Sequence, residues 1–147
     1  MKNVIVFALG SARYAVELRW VREVFTLGPV TPVAHAPEAV AGVVNYRGAI
    51  MPVLDLALLM GGGARAAAYG GEGAILVQVE DVRAALRVSS VVEVSTLRAD
   101  LDRPGGSLVD SRGRAVQLID PPALLAAARA AARSESHAPQ PPDRGPA

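Results

Sequence analysis

Few residues in this 147-residue chain have the type and spacing that chemistry requires. A metal centre needs three or four ligands converging on one point. His35 has no cysteine, second histidine or paired carboxylates near it in the sequence, and the other histidine, His137, lies in a polar tail. The chain contains no cysteine, which excludes disulfides, thiolate metal ligands and cysteine nucleophiles. The G-x-S-x-G turn that exposes a hydrolase serine is absent. Gly61–Gly63 and Gly70, Gly71 and Gly73 share only their glycines with a phosphate loop, because no Lys-Ser or Lys-Thr follows them. Glu80 and Asp81 are adjacent carboxylates. Neighbours on a strand point to opposite faces, so these two are better read as a turn than as an acid/base pair. No enzyme, cofactor or metal site is expected.

One constellation is better placed. Asn45-Tyr46-Arg47-Gly48 ends one apolar run and begins another, which puts a charged residue beside a glycine at an exposed edge. Its plain reading is a hairpin turn; its functional reading is a contact point for a partner. The plain reading of Val21-Arg22-Glu23-Val24 is a strand with Val21 inward and Glu23 solvated. Trp20 and Tyr46 are read as core residues.

The elements that would position these residues are strands. Val4 to Leu9, closed by Gly10-Ser11, and Tyr14 to Leu18 read as a hairpin. Trp20 to Leu27 reads as a strand that ends before Pro29 and Pro32. Further strands are expected over 40–46, 49–54, 74–79, 82–88, 91–97, 108–110 and 115–119, with one helical turn over 56–60. Turn signals every 8 to 12 residues are the rhythm of a small barrel or sandwich. Residues 61–73 hold six glycines and four alanines, read as a flexible loop at a boundary between two lobes. Asp120-Pro121-Pro122 starts a helix that runs through 123–133. Residues 134–147 are Pro-rich and polar, and are expected to be disordered.

Composition narrows the partners. Hydrophobic residues make up 51% of the chain but aromatics only 4%, so the core must be built largely from Val, Leu and Ile, a mix that favours strands. A net charge of +1 provides no long-range field toward nucleic acid or an anionic bilayer. Arg13, Arg19, Arg22 and Arg47 offer a basic surface, yet the aromatic platforms of a nucleic-acid barrel are scarce. The apolar run after Met1-Lys2-Asn3 is too short for a signal peptide, and no segment reaches the roughly 20 apolar residues of a membrane span. A cytoplasmic protein without direct membrane insertion is expected.

Six fragments in register over some fifty residues resemble the CheW-like domain: F-A-L-G (Phe7 to Gly10), Tyr14-Ala15-Val16, V-R-E-V (Val21 to Val24), V-T-P-V with A-P (Ala36-Pro37), G-V-V-N-Y-R-G (Gly42 to Gly48) and M-P-V-L-D-L (Met51 to Leu56). The resemblance spans about residues 4 to 127. It implies an all-β fold of two SH3-like five-stranded β-barrel lobes around a shared apolar groove, with a short C-terminal helix. It also implies a non-enzymatic adaptor that joins the cytoplasmic tip of a chemoreceptor to the regulatory domain of a CheA-type histidine kinase, in a flagellar pathway or one driving pili or gliding. Carried over by position, Val21 and Glu23 fall where the family contacts receptor. Arg47, within Asn45-x-Arg47-Gly48, falls where it couples receptor to kinase control, and Gly42 matches a position linked to kinase binding. The sequence departs from the pattern at Tyr46, where the family has Leu, at Ala34-His35, at Ser89-Ser90, where an Asp is missing, and in a shorter stretch between Leu97 and Leu108.

Overall fold

The computed structural model describes residues 1–35, 40–56, 73–99 and 107–136. These form β1 (Lys2–Leu9), β2 (Ala12–Glu17), a 3-10 turn (Leu18–Trp20), β3 (Val21–Thr26), β4 (Val40–Tyr46), β5 (Ala49–Asp55), β6 (Gly73–Val79), β7 (Val82–Val88), β8 (Ser90–Ala99), β9 (Ser107–Val109), β10 (Ala115–Ile119) and α1 (Pro121–Ser136). Trp20 therefore lies in a turn that feeds β3, and the helix runs three residues beyond its expected end. The helical turn expected over 56–60 lies, after Leu56, outside the described residues, as does the tail from 137.

The strands make two five-stranded sheets, the all-β architecture expected from the sequence. One closes as a barrel in the order β1-β2-β10-β9-β8; the other runs β3-β6-β7-β5-β4. Within each, one pair is parallel, β10 with β2 and β5 with β7. The lobes are interleaved along the chain. β5 and β6, on either side of the glycine-rich stretch, belong to the same sheet. The chain passes between lobes instead at the 3-10 turn and again at Ser89, whose N–H donates to the Ala8 carbonyl (2.9 Å). A boundary at 61–73 is thus corrected: pairing of β3 with β6 overrides the composition signal.

Alternation along β1 shows how one strand serves two cores. Val4 and Val6 point into the barrel with Ala15, Leu97, Leu108 and Val116. Ile5 and Phe7 point outward into a larger cluster with Leu54, Ile75, Val77, Leu86 and Val88 of the other lobe and Leu124 and Leu125 of α1. A strand buried on both faces reads as a continuous apolar run, which is why Val4 to Leu9 does not alternate. Phe7, fully buried, contributes on the order of 2 to 3 kcal/mol by burial alone. The space between the lobes is therefore a filled core, with α1 sealing part of it, and not the open apolar groove that the resemblance implied. The second lobe has its own interior of Leu27, Ala41, Val44, Met51, Val53, Ala74, Leu76 and Ala85.

The β9–β10 turn is held by one carboxylate. Asp110 Oδ1 accepts the Arg112 and Arg114 N–H groups (2.9 and 2.8 Å), and Oδ2 accepts Arg114 Nε (3.0 Å). Burial pushes this carboxyl up, but the two backbone N–H groups and the Arg114 guanidinium together outweigh it and hold it below the usual carboxylate range. A depressed folded-state value stabilises the protein above the unfolded pKa of about 3.9, and that contribution is lost as pH falls through the folded value. Asp110→Asn is expected to lower the melting temperature at pH 7, with the gap to the parent shrinking below about pH 4. Thermal melts across pH 3 to 7 check this; a gap independent of pH would assign the loss to the turn geometry instead.

Candidate functional site

Edge strands β3 and β4 end the second sheet on opposite sides, yet the sheet curls until they face each other. The seam is closed by side chains in place of a full ladder. Thr31 and Val43 exchange two backbone hydrogen bonds (2.9 Å each). Phe25 stacks on Tyr46 with ring centroids 4.4 Å apart. Arg47 Nη2 reaches Glu23 Oε1 at 2.8 Å.

Arg47 stands on the β4–β5 hairpin with φ +52, followed by Gly48 at φ +83. Two successive positive φ angles define the primed turn whose twist matches a β-hairpin. Asn45 Oδ1 accepts the Gly48 N–H at 3.1 Å and braces that turn. Asn45 and Gly48 therefore aim Arg47, whose guanidinium also lies 5.1 Å from the Tyr46 ring. The Tyr46 hydroxyl donates to Glu23; this bond, burial and the Glu23 charge raise its pKa, against the opposing Arg47 charge. Glu23 is held from two sides while Arg47 stays 73% exposed.

These groups rim a cavity of about 350 Å³ at the mouth of the second lobe, lined by Arg22, Glu23, Tyr46, Arg47, Ala49, Met51, Leu76, Gln78 and Arg83. Of the residues singled out in the sequence, Glu23 and Arg47 line it, and Asn45 and Gly48 shape its turn. Val21 and Gly42 do not line it. Val21 packs against the inter-lobe core, and Gly42 is buried against the Thr31 backbone. Gln78 and Arg83 were not singled out, and Arg22 was named only as part of a possible basic surface. Arg22 sits at a break in register where Val21 pairs with Val77 and Glu23 with Leu76, so an extra residue on β3 turns toward the cavity. No alternation pattern announces such a bulge.

Among the described residues no group of three or more His, Cys, Asp or Glu could hold a metal ion, and no helix is long and apolar enough to cross a membrane. What the cavity presents is a charged rim over an apolar floor. The fold and this surface define the class as a two-lobed all-β module. More particularly, the family model of the CheW-like domain matches residues 3–129, and the chain belongs to that family. It is similar to the chemotaxis protein CheW of Rhizobium meliloti (38% identity over 60 residues, 41% of this chain and 39% of that protein). It is also similar to the chemotaxis protein CheW of Klebsiella aerogenes (34% over 55 residues, 37% and 33%). The matches thus span about two fifths or less of the length of these curated relatives. The scaffolding protein TtCheW from Thermoanaerobacter tengcongensis shares the fold with a TM-score of 0.67 and 25% identity, over 81% of this chain and 88% of that one.

Proposed function

We propose that this chain is a cytoplasmic, non-enzymatic adaptor that couples the cytoplasmic tip of a methyl-accepting chemoreceptor to the regulatory domain of a CheA-type histidine kinase. The observation that carries this reading is the Arg47–Glu23 pair, which spans the β3/β4 seam on the exposed rim. A guanidinium braced on a tight turn offers a fixed fork of donors to a carboxylate or carbonyl of a partner. It acts in concert with Glu23, so a partner that engages Arg47 also changes what holds the seam closed. Signal transfer follows if receptor and kinase states differ in their contacts with this rim. Pull-down of the cognate receptor tip and of the kinase regulatory domain tests the reading; capture of neither, with salt-sensitive binding to RNA, would replace it with a nucleic-acid role.

Arg47→His is expected to weaken partner coupling without loss of fold. Exposed ion pairs contribute about 0 to 1 kcal/mol, so the melting temperature should move by no more than about 3 °C. Parallel melting and pull-down measurements on this variant decide between a contact residue and a structural one.

A further inference from the structure

Arg22 and Arg83 form a second cationic group among the residues that line the cavity. Arg22 Nε and Arg83 Nε both donate to one neutral oxygen, Gln78 Oε1, at 3.0 and 3.1 Å. Gln78 is itself oriented by its Nε2, which donates to the Glu80 carbonyl at 2.8 Å. Among the described residues neither arginine meets a carboxylate. The cavity therefore carries three guanidiniums against the single carboxylate of Glu23, and Glu23 is already engaged by Arg47 and Tyr46. A local charge of +2 exceeds the +1 of the entire chain.

Two like charges converge on one acceptor at an electrostatic cost, which an anion placed between them would relieve. Each guanidinium has five N–H donors and uses one on Gln78, so the remaining Nη donors suit a planar oxyanion. Beneath the arginines the cavity floor is Met51 and Leu76, both buried, which suits a methylene stem better than a fully hydrated ion. We propose that this cavity is a carboxylate pocket in which Arg22 and Arg83 grip a glutamate side chain of a docked protein, its stem lying on Met51 and Leu76. The inference rests on the adaptor reading for the identity of the partner, but not for the chemistry of the pocket.

The test has two arms on the full chain. In the first, the arginine Nε–Hε resonances are followed by NMR during titration with glutarate, with its neutral analogue glutaramide, and with inorganic phosphate. Saturable shifts of Arg22 and Arg83 with glutarate, and none with glutaramide, are expected; no response to glutarate, or a response to phosphate alone, overturns the carboxylate pocket. In the second, R22Q/R83Q is compared with the parent for binding to the receptor tip and to the kinase regulatory domain. A roughly tenfold weaker affinity at low salt and a shallower salt dependence are expected for one of them, with the melting temperature kept. Unchanged affinity for both overturns the docking role. If the parent binds neither partner, the adaptor reading is what fails, and the glutarate arm alone then upholds or overturns the pocket.

Discussion

Gly42→Ala should destabilise the protein by on the order of 3 kcal/mol, lowering the melting temperature by about 10 °C, although it adds one methyl group. An added Cβ would stand 2.3 Å from the Thr31 carbonyl oxygen and 2.8 Å from its carbon and from Val30 Cγ1. The obstacle is backbone, and that backbone is fixed. Thr31 and Val43 exchange N–H···O bonds in both directions at 2.9 Å, so the clash is relieved only by opening the bridge that closes the β3/β4 seam. The two hydrogen bonds contribute about 0.5 to 1.5 kcal/mol each, and the Gly42 φ of +152 adds strain for any residue with a side chain. Gly48→Ala is the control: its φ of +83 is also strained, but nothing lies within 4 Å of an added Cβ, so a loss of only about 1 to 2 kcal/mol is expected. Equal melting temperatures for the parent and the Gly42 variant would show that the seam is slack.

That result bears on what Gly42 does. The resemblance links its position to kinase binding, and here the residue is buried against the Thr31 backbone. Loss of binding in a Gly42 variant would then follow from an opened seam that displaces Tyr46 and Arg47, four and five residues further along. A binding defect accompanied by a lowered melting temperature is the signature of that route.

Short-range features of the fold were legible because they are written in adjacent residues. The β1–β2, β4–β5 and β6–β7 hairpins follow from apolar runs separated by Gly10-Ser11, Arg47-Gly48 and Glu80-Asp81. Long-range pairing was not. Nothing in the composition tells β3 to pair with β6 across the glycine-rich stretch, or β10 to run parallel to β2. Those choices satisfy two requirements at once, a closed barrel and a buried outer face on β1, and both are properties of the whole chain. The site divides in the same way. Glu23 and Arg47 were found through motifs, while Arg22, Gln78 and Arg83 come together through a bulge and a cross-strand register, Gln78 opposite Arg83.

The inner face of β7 also accounts for an arginine inside an apolar strand. Arg83, Ala85 and Arg87 alternate along it, placing Arg83 at the open mouth and Arg87 at the far end, beside its parallel neighbour Asp55 on β5. Arg87 Nη1 lies 3.7 Å from Asp55 Oδ2, and both side chains are only 5% exposed. Removing a charge from water costs several kcal/mol, and the opposite charge beside it offsets part of that cost. Arg87→Leu should therefore destabilise by about 3 to 5 kcal/mol, because it removes the positive charge beside the buried Asp55 carboxylate. The double variant Asp55→Leu/Arg87→Leu should lose less than the sum of the two single losses, since it removes both desolvated charges together. Urea denaturation of the four proteins yields the coupling; strict additivity would mean that the two charges do not stabilise each other. Because this pair sits at the end of the lobe away from Arg47, none of the folded variants should alter partner binding, which separates the charges that hold the lobe from those that face a partner.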